Sequence, residues 1–273
     1  MNEDALLEGI PGTGLWGLKA RAEEDGRSDG LFKDPLAVSW FARLEPFFGG
    51  AVANWYSPLL QQAIALRTDI LDQAVIQHLA SHSKPSIIEL GAGFSTRFSR
   101  LQPDCPWFDL DLPEVIELRA SMGENAASNH FYLADSIFNS DWTRSLADQD
   151  PSQLFLLAEG LLMYFPLNRV EALFQMLRQR LPGALIAFDV MGSWNLRSAQ
   201  TPGEEVEAPV YWGLSRIEEA YQRFDLSLAG DLTLPAQLRA QPRYARRLSP
   251  LQRWLLSWRW LTARQGGTVL ARL

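Results

Sequence analysis

Apolar residues in the first 80 positions recur at helical spacing, so the sequence predicts several helices before the first strand. The third of these segments has Ser57 as an N-cap and Pro58 in its first turn, and Asp34 and Pro35 give the second segment a similar start. We therefore predict an N-terminal helical cap, or lid, over residues 1–80.

From residue 85 onward, short apolar runs alternate with helical patterns. Runs such as "SIIEL", "WFDLD" and "ALIAFDVM" have the length and composition of buried strands. This alternation is typical of a parallel sheet with crossover helices. The pattern predicts an α/β fold of the Rossmann-like kind, with helices on both faces of the sheet, in one continuous domain over residues 81–273.

The C-terminal part of the chain has a different pattern. The segments "DLSLAGDL" and "GGTVLARL" are strand-like, and we expect them to pair antiparallel at the edge of the sheet. The segment "RWLLSWRWL" between them predicts a helix that packs into the core rather than one that lies on a membrane surface. The residues expected in the core are Trp254, Leu255, Trp258 and Leu261.

Charge and composition argue against two classes of partner. The net charge is −7, and no run of basic residues could follow a phosphate backbone, so we expect no nucleic-acid partner. No apolar run approaches the ~18 residues of a membrane span, and the N-terminus lacks the pattern of a signal peptide. We expect a cytoplasmic protein that does not associate with membranes.

Cysteine and histidine positions argue against a metal site. Cys105 is the only cysteine, which excludes an intrachain disulfide and a multi-cysteine site. His78 and His82 have helical i,i+4 spacing, but the glutamate that zinc proteases place between such histidines is absent. We predict no metal ligands, and we place both histidines in solvent at a helix end.

The first strand ends in a glycine-rich turn, "SIIELGAGFSTRFSR". Gly91 and Gly93 would let the chain turn sharply and let its backbone approach a ligand. A dinucleotide fold would have a third glycine three residues beyond Gly93, where Thr96 stands. The missing glycine favours a ligand other than NAD.

Acidic residues end the second predicted strand. Asp111 lies 20 positions after Gly91, which is the separation at which an acid accepts hydrogen bonds from ribose hydroxyls. Asp109 lies on the same face of the strand, so the spacing leaves both acids open.

Two further acids follow the third and fourth strands. Asp135 could accept a hydrogen bond from an adenine amine, or it could cap a helix. Glu159 follows four apolar residues, where a carboxylate needs either a ligand ammonium or a nearby arginine as partner. The acids and glycines together suit a ribose, an adenine and a cation, and nothing is arranged for phosphates. S-adenosyl-L-methionine fits this description better than NAD does.

The chain also contains six ordered stretches that span roughly residues 15–190: "LFKDPLA", "ALRTDILDQA", "IIELGAGFSTR", "WFDLDLPEVIELR", "LADS" and "AEGLLMYFP". In these stretches it resembles the leucine carboxyl methyltransferase family of class I methyltransferases, which includes bacterial polyketide O-methyltransferases. The resemblance implies a class I fold with a mostly parallel seven-stranded sheet, and S-adenosyl-L-methionine as the cofactor.

The resemblance implies roles for individual cofactor-binding residues. Arg67 would bind the methionine carboxylate, because a guanidinium is always charged and can donate two parallel hydrogen bonds to a carboxylate. Gly91, with Gly93 beside it, would line the cofactor, and Asp111 rather than Asp109 would bind the ribose.

Further roles follow from the same resemblance. Asp135 and Ser136 would face the adenine, and Glu159 the methionine end. Tyr164 would point at the transferred methyl group or the acceptor, so Tyr164 and Arg67 are the predicted catalytic residues.

The first helix and the glycine turn leave two points open. A basic residue of the first helix contacts the cofactor in the family; Lys19 and Arg21 are both candidates here, and we choose Arg21. The family usually has an aspartate where this chain has Ser95 in "GFSTR". We expect cofactor binding to survive this change, with altered hydrogen bonding in the turn.

The predicted function is O-methylation of a carboxylate or hydroxyl on a small polyketide- or peptide-like metabolite. A carboxylate is already ionised at neutral pH, whereas a phenol would need a general base, and no histidine lies in the strand-end turns. The alternatives are methylation of a protein C-terminal carboxylate and a non-catalytic S-adenosylmethionine-binding protein. An apolar acceptor pocket could be walled by Trp194, Tyr211, Trp212 and Tyr244.

Overall fold

The computed structural model describes residues 13–49, 53–54, 56–123, 127–193, 209–256 and 266–273. In these ranges three helices precede the first strand, and they are α1 (Thr13–Asp25), α2 (Pro35–Leu44) and α3 (Pro58–Ser81). The Asp34 side chain caps α2 by accepting from the amide of Ala37 at 2.9 Å, and Ser57 caps α3 through the amide of Leu60 at 3.2 Å. Both helix starts that the sequence predicts are confirmed.

A seven-stranded sheet forms the centre of the fold, in the order β3-β2-β1-β4-β5-β7-β6. The first five strands are parallel, and β7 pairs antiparallel with both β5 and β6. The predicted mostly parallel sheet with an antiparallel C-terminal pair is therefore confirmed. The strands are β1 (Ser86–Leu90), β2 (Trp107–Asp111), β3 (His130–Ala134), β4 (Leu154–Ala158), β5 (Leu185–Met191), β6 (Ser227–Asp231) and β7 (Gly266–Arg272).

Helices cover both faces of this sheet. One face packs against the apolar stripe of α6, which includes Val170, Phe174 and Leu177. The other face packs against α3, through residues such as Ile70 and Val75. The helices after β1 are α4 (Arg97–Leu101), α5 (Pro113–Ser121), α6 (Leu167–Arg180), α7 (Glu218–Arg223), α8 (Leu234–Ala240), α9 (Pro242–Arg246) and α10 (Pro250–Leu256). Short 3₁₀ helices lie before β1 at Glu45–Phe47 and after it at Asp141–Leu146, Pro151–Gln153 and Leu162–Tyr164.

The first two helices form a separate small core above the glycine turn. Leu18 of α1 and Trp40 of α2 are buried against Phe94 of the turn and Leu118 of α5. The N-terminal helices thus contact the edge of the sheet where the turn after β1 emerges. The division of the chain into a cap over residues 1–80 and a core over residues 81–273 stays a prediction.

The tryptophan-rich C-terminal segment departs from the prediction. Trp254 is 52% exposed, so its predicted burial in the core is wrong. In the described part of α10, Leu256 packs against the core, and it stands two positions after Trp254, which places the two side chains on different faces of the helix. Leu255 is half-buried, and Trp258 and Leu261 lie outside the described residues. No helix in the described part of the chain is long and apolar enough to cross a membrane.

The histidine pair at the end of α3 is also placed differently from the prediction. His78 is buried, with Nε2 2.9 Å from the carbonyl oxygen of Gln153, so its predicted place in solvent is wrong. Its ring packs on Phe155 and stacks on His82, with centroids 3.9 Å apart. The described residues contain no group of three or more His, Cys, Asp or Glu side chains arranged to hold a metal ion. Burial lowers the pKa of His78 to about 4.

This burial predicts a pH dependence of stability. Because the folded pKa of His78 is lower than the unfolded value of about 6.5, the unfolded chain binds the extra proton first, and stability falls as the pH drops from about 6.5 towards 4. We expect the free energy of unfolding to fall by about 1–2 kcal/mol more in the wild type than in His78→Gln over this range, as measured by urea unfolding. Parallel pH profiles for the two proteins would contradict the assignment.

Candidate functional site

The strand order brings the turns after β1 and β4 together. These two strands are adjacent, and the sheet order reverses between them. In open parallel sheets, ligands bind beyond the carboxyl ends of the strands at such a switch point. The residues that follow β1 to β5 meet at this edge and form the candidate site.

Two glycines with positive φ form the turn after β1. Gly91 has φ +62°, and a Cβ built on it would lie 2.5 Å from Leu161 Cδ1. Gly93 has φ +48°, and the nearest atom to such a Cβ is the Gly91 carbonyl oxygen at 3.9 Å. The positive φ favours glycine at both positions. At Gly91 the close approach of the Leu161 side chain is a second reason. The turn after β1 therefore packs directly on the loop after β4.

Asp109, one of the two acids that spacing left open, is fully enclosed in β2. Its carboxylate accepts hydrogen bonds from Trp107 Nε1 at 2.9 Å and Arg119 Nη2 at 2.5 Å, and His130 Nε2 lies 2.8 Å away. Burial acts to raise the pKa of Asp109, but the charge of Arg119 outweighs it, and the pKa is lowered. With its oxygens occupied and none of its surface exposed, Asp109 offers nothing to a ligand.

Asp111 ends β2 and is partly exposed. Its carboxylate accepts hydrogen bonds from the amides of Gly93 at 2.6 Å and Leu112 at 2.7 Å. Each oxygen keeps a further lone-pair direction for another donor. Burial raises the pKa of Asp111. Of the two acids, Asp111 is the one whose carboxylate is accessible, and it faces the glycine turn.

Asp135 lies beside Asp111, at the end of the neighbouring strand. The amide of Asp135 donates to the carbonyl oxygen of Asp111 at 2.9 Å. Its carboxylate accepts from the amide of Ser136 at 2.7 Å and from Asn139 Nδ2 at 3.0 Å. No helix begins here, so Asp135 stabilises a turn and is not a helix cap. Asp111, Asp135 and Ser136 form a continuous polar edge.

Glu159 follows β4 and is held by two arginines. Arg67 Nε donates to Oε1 at 3.0 Å, Arg97 Nη2 donates to Oε2 at 2.5 Å, and the Thr68 hydroxyl lies 3.2 Å from Oε1. Burial acts to raise the pKa of Glu159, but the charges of Arg67 and Arg97 lower it far below its usual range. Of the two partners that the sequence left open for Glu159, a ligand ammonium or a nearby arginine, the structure shows arginines.

Arg97 is a residue whose role the sequence did not reveal. Its guanidinium is buried and contacts three carboxylates, those of Asp72, Glu89 and Glu159. The arginine stands in the "STR" that follows the glycines, but its partners come from α3, β1 and the loop after β4. Arg97 thereby ties three elements of the site together.

Arg67, from α3, bridges two carboxylates, one on the loop after β4 and one in β5. Nε binds Glu159, and Nη1 lies 3.1 Å from Oδ2 of Asp189, at the end of β5. Nη2 makes no hydrogen bond with any described residue. It lies beside Gly160: a Cβ built on that glycine would be 3.4 Å from Nη2. The Arg67 side chain is 30% exposed, so this nitrogen is the part of the fork that remains for a ligand.

Asp189 is a second site residue that the sequence analysis missed. Besides Arg67, its carboxylate accepts from the amide of Gly160 at 2.7 Å and from the Thr268 hydroxyl at 3.3 Å. Gly160 has φ +63°, so Asp189 fixes the turn that carries Glu159 into the site. The signal was present, because an acid in the apolar run "ALIAFDVM" needs a buried partner just as Glu159 does.

The two basic residues of α1 have different environments. Arg21 is buried, and its Nη2 donates to the carbonyl oxygen of Phe94, in the glycine turn, at 2.6 Å. Lys19 pairs with Glu23 at 3.0 Å and lies over three aromatic rings, 4.9 Å from the centroid of Phe41. Arg21 is therefore the residue that reaches the turn.

Tyr164 ends the 3₁₀ helix Leu162–Tyr164 and is half-buried. Burial acts to lower the pKa of Arg67, but the charges of Asp189 and Glu159 raise it, and Tyr164 acts in the same direction. Tyr164 lies on the loop that carries Glu159.

The aromatic residues considered for an acceptor pocket separate into two groups. Trp212 is buried, with Nε1 donating to the carbonyl oxygen of Leu162 at 2.9 Å, and Tyr244 is buried in the core. Tyr211 is 52% exposed, and its amide donates to the Met163 carbonyl oxygen at 2.9 Å. Tyr211 alone of the described three faces solvent beside the site loop, and Trp194 lies outside the described residues.

A cavity of about 540 Å³ lies elsewhere, near the start of α3. Its lining includes Glu23, Tyr56, Gln61 and Arg247, and none of the strand-end acids contributes to it. It is a feature separate from the candidate site.

Comparison with known proteins identifies the family. The sequence profile described as leucine carboxyl methyltransferase matches residues 15–178, more than half of the chain. The chain belongs to the leucine carboxyl methyltransferase family. Three predictions are thereby confirmed: the family, the activity of an S-adenosylmethionine-dependent methyltransferase, and S-adenosylmethionine as the cofactor.

Individual relatives agree with this family assignment. The tetracenomycin polyketide synthesis O-methyltransferase TcmP of Streptomyces glaucescens is 26% identical over 202 residues, which cover 73% of each chain. A relative from Frankia alni, provisionally named as an S-adenosyl-L-methionine-dependent methyltransferase, is 30% identical over 186 residues, covering 61% of this chain and 63% of that protein. The match thus spans just under two thirds of the Frankia protein.

A solved structure supports the fold. A crystal structure from Thermobifida fusca, provisionally named as a methyltransferase, aligns with a TM-score of 0.54 at 17% sequence identity. The alignment covers 79% of this chain and 83% of that one. The predicted class I methyltransferase fold is confirmed.

Ser95, where the resemblance implies an aspartate, lies close to a buried acid. The Ser95 hydroxyl accepts from the amide of Arg97 at 3.3 Å, and it also helps to stabilise the carboxylate of Glu89. Glu89 is buried, and burial raises its pKa. An aspartate at position 95 would bring a second negative charge to this buried acid, and serine avoids that repulsion.

The residues present fit S-adenosylmethionine on structural grounds. Asp111 offers lone pairs to ribose hydroxyls at the edge of a turn that carries no Cβ at Gly91 and Gly93. The Nη2 atom of Arg67 has no other partner among the described residues and suits a carboxylate. Asp135 adds an acceptor beside Asp111. Such a ligand needs acceptors for its ribose and adenine and a cation for its carboxylate, and these residues have the chemistry to supply them.

The pairing of Glu159 predicts a large effect on stability. Glu159→Gln would remove one charged partner from each of two guanidinium groups, Arg67 and the buried Arg97, so we expect the free energy of unfolding to fall by about 3 kcal/mol. Glu171→Gln removes the same charge from the exposed pair with Arg223, and we expect a change within about 0.5 kcal/mol. Urea unfolding measures both. Equal losses in the two variants would contradict the inference that Glu159 is a central ion-pair partner.

Proposed function

We propose that the protein transfers a methyl group from S-adenosylmethionine to a carboxylate oxygen of a small acceptor. The observation that carries this proposal is the placement of an accessible carboxylate, Asp111, against the glycine turn, at the same sheet edge as Arg67 Nη2, which has no hydrogen-bond partner among the described residues. These groups suit the two polar ends of an adenosyl amino acid.

We assign the cofactor contacts residue by residue. Asp111 binds the ribose hydroxyls, and Asp135 and Ser136 face the adenine. Arg67 binds the methionine carboxylate through Nη2, and Glu159 holds Arg67 in place while keeping a lone pair for the ammonium end. The family assignment and the accessibility of these groups support the proposal.

The remaining proposed contacts involve the N-terminal helices and the turn. Arg21 acts through the carbonyl oxygen of Phe94, and Gly91 and Gly93 line the ligand through their backbone. The helical cap over residues 1–80 closes the site, since α1 and α2 pack on the turn after β1.

The positions of the histidines favour a carboxylate over a hydroxyl acceptor. A phenol, with a pKa of about 10, needs a general base, whereas a carboxylate is ionised at neutral pH. All three histidines are placed elsewhere: His130 contacts Asp109 in the sheet, and His78 and His82 lie at the end of α3. The name of the family and the O-methyltransferase activity named for TcmP are consistent with an oxygen acceptor.

The chain's own residues act by orientation. Bound S-adenosylmethionine supplies an electrophilic methyl group on its sulfonium, and methyl transfer requires an acceptor oxygen in line with the C–S bond. Tyr164 lies on the loop after β4, and Arg67 binds Glu159 of the same loop, so we assign both to hold the acceptor carboxylate by a hydroxyl and a positive charge. Tyr211, exposed beside the same loop, would contact an apolar part of the acceptor.

A methyl-transfer assay tests this function. The purified protein is incubated with S-adenosylmethionine labelled in the methyl group and with matched pairs of aromatic carboxylic acids and phenols. We expect label in the carboxylic acids, as methyl esters that dilute base hydrolyses. Label only in base-stable ethers would contradict a carboxylate acceptor. Binding of the cofactor product without transfer to any acceptor, small or peptide, would favour the non-catalytic alternative.

A further inference from the structure

Three consecutive carbonyl oxygens of the turn after β1 are held by guanidinium groups. Arg119, from α5, donates to the carbonyl oxygens of Gly93 and Ser95, each at 3.1 Å. Arg21 donates to the carbonyl oxygen of Phe94, which lies between them. The backbone of residues 93–95 is thus held from α1 and from α5.

Arg119 is itself fixed in the interior. It is fully buried, and its Nη2 also donates to Asp109 at 2.5 Å. Asp109 is in turn held by Trp107 and His130. A buried guanidinium needs a carboxylate partner, and Asp109 supplies it without contacting the ligand side of the sheet.

The geometry points to a consequence for the ligand side of the turn. Because the carbonyl oxygens of Gly93 and Ser95 are taken by Arg119, the amide of Gly93 is left directed at the Asp111 carboxylate, 2.6 Å away. The turn holds two residues with positive φ, and such a short segment keeps one conformation only when its surroundings fix it.

We propose that Arg119 is a positioning residue for the ribose end of the cofactor site, with Asp109 as its charge partner. This inference rests on the proposed function, since it assumes that Asp111 binds the ribose. Arg119 is fully buried; it holds the backbone of the turn, and the turn binds the Asp111 carboxylate. Its loss should weaken cofactor binding beyond what a loss of stability explains.

Arg247 provides a matched control. It too is buried, and its guanidinium is shared between two carboxylates, those of Glu24 and Asp29, each at 2.9 Å. None of its hydrogen bonds involves the turn after β1. Arg119→Lys and Arg247→Lys therefore make the same chemical change to a buried fork, and only one of them touches the turn.

The experiment measures the affinity for S-adenosylhomocysteine by calorimetry and the amide exchange of residues 92–96 without ligand, at a temperature where each variant is folded. We expect Arg119→Lys to weaken binding about tenfold or more, as the loss of two hydrogen bonds implies, and to speed exchange in the turn. Arg247→Lys should keep wild-type affinity and wild-type exchange in the turn. Where Arg119→Lys fails to fold, Asp109→Asn replaces it, with an expected loss of about threefold.

The outcomes separate this inference from the function on which it rests. Unchanged affinity in a folded Arg119→Lys protein, or equal losses in the two lysine variants, would overturn the positioning role and leave the proposed function standing. A wild-type protein that does not bind S-adenosylhomocysteine would overturn the proposed function, and this inference with it.

Discussion

The partly buried carboxylate of Glu159, held between Arg67 and Arg97, is the interaction on which the site depends. Its two partners come from α3 and from the helix after the glycine turn, and it lies 92 and 62 residues from them in the chain. A carboxylate in this position is stable only when it is paired, and so are the two guanidinium groups. Each of these elements is therefore required for the others to keep their place.

The same network extends away from Glu159 on both sides. Through Arg97 it reaches Asp72 and Glu89, and Arg100 continues it from Asp72 to Asp34, the N-cap of α2. Through Arg67 it reaches Asp189 at the end of β5, and Asp189 fixes the backbone of the turn after Glu159. The ion pairs thus join the N-terminal helices, the glycine turn and the ends of three strands, β1, β4 and β5. Asp111 and Asp135 lie outside the network and keep carboxylate oxygens for a ligand.

The sequence predicts the sheet, the turns and the strand-end acids, because strand runs, glycines and helix caps are local patterns. It does not predict which acids are free. Asp109 and Asp111 have equal spacing and share a face, and only the tertiary donors Arg119 and His130 show that Asp109 is enclosed. Asp189 is missed for the same reason, since its main partner, Arg67, is remote in sequence.

Burial in the peripheral helices is likewise a tertiary property. The end of α3 looks polar, yet His78 is covered by Phe155 and by the chain at Gln153. The helix α10 looks like a core element, yet Leu256 packs against the core while Trp254 is exposed. Hydrophobic spacing gives the type of an element, but its exposure depends on what packs against it.

The most direct test of the account is the affinity of the Asp111 variant for S-adenosylhomocysteine. Asp111→Asn keeps the shape of the side chain but removes its negative charge and replaces one acceptor oxygen with a donor. The side chain can then no longer accept hydrogen bonds from two ribose hydroxyls through two oxygens, so calorimetry should show binding at least about tenfold weaker than in the wild type. Asp104→Asn, the same change at an exposed position before β2, should leave affinity unaltered. Wild-type affinity in a folded Asp111→Asn protein would contradict the assignment of the site.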